Sequence, residues 1–287
     1  MMFLRPRRER APLNADLHCH STISDGTLGP AEIAQRAHAR GVQLWALTDH
    51  DELGGLATAA ATAHGLGLPF VPGVEISVTW RHETLHIVGL RIDPDNQTLR
   101  GGLGRVRSGR TQRAHDMAAQ LADVGIPDAF AGALNYVGNP DLIGRTHFAR
   151  YIVELGKCDD VREVFGKYLV EGKPGYVQME WASLPETVAW IHAAGGVAVI
   201  AHPGRYKLKE VEMRELLAEF KALGGDAIEV VTGSHSNDQF RRFAKYANEY
   251  GFLASRGSDF HGPEESRFDL GTLPPLPDSV VPVWHDW

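Results

Sequence analysis

The sequence predicts an α/β protein in which parallel strands, each followed by a helix, close into a barrel. Three observations carry this reading. Strand-like apolar runs and helix-like amphipathic runs alternate toward both ends of the 287-residue chain, the mark of repeated βα units. The alternation breaks after about residue 97 and resumes after about Gly175, with only helical spacing between, so the barrel carries a helical insertion. Nine metal-type side chains follow or lie within the apolar runs: His18, His20, Asp25, His50, Glu75, His86, His202, Asp259 and His261. Barrels crowd such residues at the C-terminal ends of their strands. An open sheet concentrates them in one crevice and rarely recruits so many strands.

The elements follow in order. NADLHCH reads as a short buried strand, and PAEIAQRAHAR as a helix with Pro30 in its first turn and Gly41 at its stop. VQLWALTDH is a strand, LATAAATAHGLG an Ala-rich helix, and LPFVPGVEIS a strand with Glu75 as its only acidic end residue. SVTW and TLHIVGLRI read as two further strands, paired through Arg81, His82, Glu83 and Thr84. GGLGRVRSGRTQRAHDMAAQLADVG has helical spacing and stops at Gly125. Ser183 and Glu186 form a capping box that opens the helix ending at Gly195 and Gly196. VAVIA, DAIEVV and FLASRGSDF are strands, separated by the helices EVEMRELLAEFKALGG and NDQFRRFAKYANEYG.

Composition bounds the function. Hydrophobic content of 43% and charged content of 23% describe an ordinary globular chain with ample core. The net charge of -7 leaves no evident basic track for long nucleic acid, so any phosphate binding is local. Two cysteines, Cys19 and Cys158, form no disulfide framework and favour a reducing compartment. The start, MMFLRPRRERAP, reads as a basic tail without the apolar stretch of a signal peptide, and no run reaches the length of a membrane span. The expected location is the cytoplasm.

His18-Cys19-His20 places two rings on one face of a strand, where both can bind one metal. Alternation turns Cys19 to the opposite face, as a small buried hydrophobe. A carboxylate can bridge two metals about 3.5–4 Å apart, and Glu75 holds the position for it. Asp16 and Asp49 flank ligands and are expected to orient imidazoles through the second ring nitrogen, while Asp51 fits that role or a loop cap equally. Three carboxylates against three divalent ions leave a surplus of about three positive charges, which draws a phosphate and lowers the pKa of a bound water. Histidine-rich coordination disfavours Mg²⁺ and suits Mn²⁺, Zn²⁺ or Fe²⁺. His235 in VVTGSHS and His147 in GRTHFAR are further candidates to touch substrate. His38, His64, His82, His115, His192 and His285 have no supporting neighbours.

DLHCHSTISDG, LTDHD, PGVEIS, AHPGR and GSDFHG, all present in this order, resemble the polymerase and histidinol phosphatase (PHP) superfamily. The resemblance implies a distorted (β/α)7 TIM-like barrel over residues 1–96 and 181–287, with a cofactor of two or three divalent ions, most simply Mn²⁺. By motif, His18, His20, Glu75 and Asp259 share one metal, Glu75 bridges to a second held by His86 and His202, and Asp25, His50 and His261 hold a third. Many relatives carry histidine at the position of Asp25. The stretch from GRTHFAR to GKPGYV is similar to the helical insertion of a subgroup containing 3′,5′-nucleoside bisphosphate phosphatases and a 5′→3′ exoribonuclease. That likeness implies a cap over residues 97–180.

The reaction then expected is removal of the 3′-phosphate from a nucleoside 3′,5′-bisphosphate by in-line attack of hydroxide formed at the metals. Arg145, Lys173 and Arg205 are candidates to clamp phosphate, with Arg205 also neutralising charge at phosphorus. Phe148, Tyr176 and Tyr206 are candidates to stack the base, and His235 is the candidate general acid. Alternatives are a 5′→3′ exoribonuclease acting on short 5′-phosphorylated RNA, a histidinol-phosphate phosphatase, an amidohydrolase, and a binding module without metal. An amidohydrolase often bridges its metals with a carboxylated lysine, and no lysine ends a strand here.

Overall fold

A computed structural model describes residues 12–287; the basic start lies outside the described residues. β1 (Ala15–Asp16), α1 (Pro30–Ala39), β2 (Leu44–Leu47), α2 (Leu56–Leu66) and β3 (Phe70–Trp80) follow as βα units, and β4 (Glu83–Leu90) returns as a hairpin. The insertion holds α3 (Gln97–Ser108), α4 (Arg110–Asp123), α5 (Ala129–Leu134), α6 (Arg145–Glu154) and α7 (Val161–Val164). β5 (Ala182–Ser183), α8 (Leu184–Ala193), β6 (Val197–Ile200), α9 (Glu210–Ala222), β7 (Ala227–Thr232), α10 (Asn237–Tyr250) and β8 (Leu253–Gly257) complete the chain.

Seven strands run in the order β1-β2-β3-β4-β6-β7-β8, and β5 pairs β3 off this path. The ends meet: Leu17 N–H donates to Arg256 O at 3.0 Å, Asp259 N–H to His18 O at 2.8 Å, and Cys19 bridges Phe260 in parallel. A nearly closed barrel of seven strands results, as the sequence predicts. Gly257 permits the closure, since a Cβ there would lie 2.3 Å from His18 Cβ.

Two features depart from the strand reading. SVTW is no separate strand; β3 runs unbroken to Trp80, so Glu75 lies in its middle. The turn at Arg81 (φ 55°) starts β4, which is antiparallel to both β3 and β6. That hairpin is the distortion of the barrel. NADLHCH likewise pairs as a ladder only over Ala15–Asp16. Helix boundaries follow local chemistry. Pro30 opens α1, Gly41 (φ 75°) follows it, and the Ser183–Glu186 capping box opens α8.

The large core packs helices onto the strands, with Trp45, Ile76, Ile87, Ile200, Leu217 and Phe243 all buried. Cys19 belongs to it, its thiol 3.2 Å from both Ala46 O and Trp45 Nε1. A separate cluster of Met117, Leu121, Phe148, Ile152 and Leu169 lies inside the insertion. Leu99, Leu103 and Val106 of α3 join the barrel core instead. The division into barrel and cap remains our proposal, with α3 packing on the barrel side and the second core starting at α4, later than residue 97.

Candidate metal centre and the cleft above it

Glu75 is fully buried at the mouth of the barrel. Its Oε1 lies 2.9 Å from His202 Nε2, 3.0 Å from His86 Nδ1 and 3.3 Å from His18 Nε2. Its Oε2 lies 3.0 Å from His50 Nδ1 and 3.3 Å from His20 Nε2. Asp259 Oδ1 stands 3.3 Å from His20 Nε2 and 3.6 Å from His18 Nε2. Asp25 Oδ1 stands 3.3 Å from His261 Nε2, 3.8 Å from His50 Nε2 and 3.9 Å from His20 Nδ1. The structure therefore gathers all nine sequence candidates into one connected cluster.

The fold accounts for each position. His50 bridges Glu75 in parallel, because Asp51 N–H donates to Glu75 O and Glu75 N–H to Asp49 O. His86 reaches the mouth from the first half of β4, across from Ser77, because that strand runs in reverse. Asp51, His202 and Asp259 adopt positive φ (51°, 28° and 55°). Such conformations cost energy and gather at functional sites.

The donor set fits divalent cations. Bonds of about 2.0–2.2 Å place neighbouring tetrahedral ligands roughly 3.3–3.6 Å apart, and His18 Nε2 lies 3.2 Å from His20 Nε2 and 3.3 Å from Glu75 Oε1. His20 Nδ1, Asp25 Oδ1, His50 Nδ1 and Glu75 Oε2 are buried without hydrogen-bond partners, a costly state that coordination relieves. Burial opposes charge on His20, yet Asp259 and Glu75 outweigh it and raise its pKa to about 10. Burial also opposes charge on Glu75, and His86, His18 and His50 hold it well below its usual range all the same. The cluster attracts positive charge. His202, by contrast, is lowered to about 3 by burial and by Arg205, so its imidazole is neutral, the form that can coordinate a cation. The groups differ from the motif assignment: His20 joins Asp25, His50 and His261 as well as His18 and Asp259, while Glu75 stands with His18 and His202 in one group and with His50 and His86 in another.

The support for the rings is not the expected one. Glu229 of β7, fully buried and missed in the sequence, accepts from His18 Nδ1 at 2.8 Å and from the His202 N–H at 2.5 Å. Asp16 accepts from Ser258 and Gly271 N–H groups, and Asp49 from Ser21 and Ser24. These two carboxylates brace loops and touch no ring. Asp51 takes the N–H and hydroxyl of Ser77 and pairs with Arg110.

A cleft of about 270 Å³ opens above the cluster. Arg145, Arg205 and Tyr176 line it as expected, and Arg205 reaches Asp259 Oδ2 at 2.8 Å. Four of the candidates do not line it. Lys173 is exposed in the turn that returns its N–H to Val170 O, and it does not line the cleft. His235 is 2% exposed, with Nδ1 on Val230 O (3.2 Å) and Nε2 accepting from Gly204 N–H (2.9 Å). Both its nitrogens are engaged, and with Gln239 it fixes the turn carrying Arg205. Tyr206 donates its hydroxyl to Ala201 O and accepts from His86 N–H, which braces His86, and it does not line the cleft. Phe148 is core of the insertion. His147 lines the cleft, but its nitrogens bind Gly144 N–H and Ser24 O.

Arg110 and Arg113 were missed, and both line the cleft. They stand in helical phase with Ala114, Met117 and Leu121 on the buried face of α4, and that phase was the available signal. Both guanidiniums lie near Trp181, at 4.8 and 5.3 Å from a ring centroid. Burial and the charges of Arg145 and Arg110 lower Arg113 to about 9. A guanidinium keeps its proton at neutral pH, so this crowding favours an incoming anion.

Comparison with known proteins agrees with the site. The PHP domain family model matches residues 16–233. A Chromobacterium violaceum protein named 3′,5′-nucleoside bisphosphate phosphatase is 51% identical, covering 95% of this chain and 96% of its own. A Haemophilus influenzae 5′-3′ exoribonuclease is 41% identical, covering 94% and 97%. Among solved structures, a C. violaceum chain described as an amidohydrolase with bound sulfate and no metal is similar at TM-score 0.91 and 51% identity, covering 94% of each chain. A Bifidobacterium adolescentis chain described as a metal-dependent phosphoesterase is similar at TM-score 0.81 and 27% identity, covering 94% and 93%.

Proposed function

The chain belongs to the PHP domain family of metal-dependent phosphoesterases, and we propose that it removes the 3′-phosphate of nucleoside 3′,5′-bisphosphates. The products are a nucleoside 5′-phosphate and phosphate. One observation carries this reading: the cluster around Glu75 faces a cleft that also holds Arg110, Arg113, Arg145 and Arg205. A substrate with two phosphates matches two attractors, one for each anion. The name of the 51%-identical relative supports the same substrate.

The nine clustered residues are the proposed ligands of two or three ions, with Mn²⁺ first and Zn²⁺ or Fe²⁺ as alternatives. Such ions, when bound, offset phosphoryl charge and make water a stronger nucleophile. Glu75 is the proposed bridge, and Glu229 holds the ring of His18. Arg205 stands beside Asp259, where it offsets charge on phosphoryl oxygens. Arg110, Arg113 and Arg145 bind the 5′-phosphate, which orients the 3′-phosphorus. Tyr176 and Trp181 flank the nucleoside. An amidohydrolase with a carboxylated-lysine bridge is disfavoured because Glu75 itself holds the bridging position, one oxygen facing His86 and His202 and the other His50. The cytoplasmic location stays part of this reading. Both cysteines are free, and among the described residues no helix is long and apolar enough to cross a membrane.

The test is phosphate release from adenosine 3′,5′-bisphosphate by the purified protein with Mn²⁺. Equal amounts of phosphate and adenosine 5′-phosphate are expected. Absence of phosphate release rejects the reading.

A further inference from the structure

One helix of the insertion, α6, reaches the loop that carries Asp25. Thr146 Oγ1 donates to Asp25 Oδ2 at 3.0 Å, and Arg150 Nη2 donates to Asp25 O at 2.6 Å. His147 Nδ1 accepts from Gly144 N–H, which leaves Nε2 to donate to Ser24 O at 3.1 Å. The guanidinium of Arg150 also holds both oxygens of Glu265, at 2.7 and 2.8 Å, on the segment that follows His261. Thr146, His147 and Arg150 share one side of the helix, while Phe148 and Ile152 enter the insertion's own core. The approach is close. A Cβ at Gly138, in the turns before α6, would lie 2.2 Å from Thr22 O.

These contacts divide the two oxygens of Asp25. Thr146 takes Oδ2. Oδ1 is buried without a hydrogen-bond partner and faces His261 Nε2 at 3.3 Å, His50 Nε2 at 3.8 Å and His20 Nδ1 at 3.9 Å. A carboxylate on a single-bond arm turns unless one oxygen is held, so fixing Oδ2 also sets the direction of Oδ1. The barrel braces the start of this loop, where Asp49 accepts from Ser21 and Ser24. Among the described residues, however, the hydrogen bonds donated to the Asp25 carboxylate and carbonyl both come from α6. The ligands around Glu75 differ, because the barrel and its own loops support them: Glu229 holds His18, and Tyr206 braces His86.

We infer that the insertion completes one ion site of the barrel: α6 supports the group His20, Asp25, His50 and His261, with Thr146 and Arg150 as its positioning residues. This rests on the reading of the cluster as a metal centre. Thr146 aims the ligand oxygen, and Arg150 ties the Asp25 loop to the segment after His261, so two ligands of the same group keep their spacing. Partners of this kind, one bond removed from the ion, typically change metal affinity about 10- to 100-fold. Arg145, the first residue of the same helix, lines the cleft. The helix that sets Asp25 therefore also presents a proposed ligand of the 5′-phosphate, which places the grip on substrate and the support of the ion on one rigid element.

The experiment titrates metal-free protein with Mn²⁺, reading the free ion by its paramagnetic resonance, and assigns each ion to its place by anomalous maps at the manganese edge. Thr146→Val keeps the shape of the side chain and removes the donor. In it, the ion beside Asp25 is expected to bind about 10- to 100-fold more weakly, while ions flanked by Glu75, His86 and His202 stay within about twofold of wild type. Thr146→Ser restores the donor and should restore the affinity. Arg150→Lys keeps the charge but loses the fork between Asp25 O and Glu265; it should weaken the same ion, and it carries the test if the valine variant does not fold. Unchanged affinity beside Asp25 in a folded variant overturns the inference. So does equal weakening of every ion, or a serine variant as weak as the valine one. A wild type with ions beside Glu75 and none beside Asp25 overturns this inference alone, and a wild type that binds no ion removes the metal-centre reading with it. Phosphate release plays no part in the measurement, so loss of the phosphatase reading leaves the result standing.

Discussion

Replacing Glu229 with glutamine changes one atom and isolates the support beneath the metal-type cluster. Glu229 Oε1 accepts from His18 Nδ1 at 2.8 Å, and Oε2 accepts from the His202 N–H at 2.5 Å. An amide has one oxygen and one NH₂, so in the variant one of these donors meets another donor. The charge that makes His18 a better ligand is also lost. A hydrogen bond to a charged group contributes about 1.5–3 kcal/mol, and a buried unsatisfied donor costs about 1–3 kcal/mol. Loss of such a ring partner typically weakens metal binding about 10- to 100-fold. Calorimetric titration of metal-free protein with Mn²⁺ measures this directly, and the melting temperature of the metal-free variant reports any general loss of fold. An affinity within about twofold of the wild type would refute the reasoning, because Glu229 would then contribute nothing through His18.

Other outcomes follow from the same geometry. Glu75→Ala should lose bound metal and turnover together, as seen by elemental analysis after saturation with Mn²⁺; full metal content with no turnover would contradict the bridging role. Arg145→Ala should raise KM for the bisphosphate by roughly tenfold, the scale of a charge-assisted hydrogen bond, while turnover of a simple aryl phosphate stays near wild type. Equal loss on both substrates would show that Arg145 acts at phosphorus. Burial lowers His235 to about 4 in the folded protein, so the unfolded chain takes up its proton first as pH falls. The stability that His235 contributes is complete above about pH 6.5 and is lost toward pH 4, on the order of 3 kcal/mol. The melting temperature of the wild type should therefore fall more steeply across that window than that of His235→Gln, and parallel slopes would contradict a buried neutral ring.

The barrel was legible because its signals are local. Alternating apolar runs, Pro30, the Ser183–Glu186 box and the glycine stops each act within a few residues. The convergence of the nine candidates was legible for a related reason, since strand ends in a barrel share one mouth. What escaped depends on long-range pairing. The turn through Arg81–Thr84 announced the hairpin of β3 and β4, but nothing in TLHIVGL announces that β4 then pairs antiparallel with β6 from beyond the insertion. Glu229 looked like one more residue of a buried strand, and its purpose appears only when His18, 211 positions away, folds against it. His235 misled for the opposite reason. A histidine after a strand looks like a site residue, but here the chain turns it inward against Phe243, with ring centroids 4.8 Å apart. Arg110 and Arg113 were hidden by convention, since arginines on a helix are usually assigned to solvent, while these two lie on the buried face.

The central claim is that the donors around Glu75 hold metal ions together in one pocket. Anomalous diffraction at the manganese edge, from crystals grown with Mn²⁺, tests it without reference to activity. The account predicts at least two peaks about 3.5–4 Å apart, flanking the Glu75 carboxylate and bounded by His18, His20, His86 and His202. A map with no peak in bonding distance of Glu75, at saturating Mn²⁺, would contradict it.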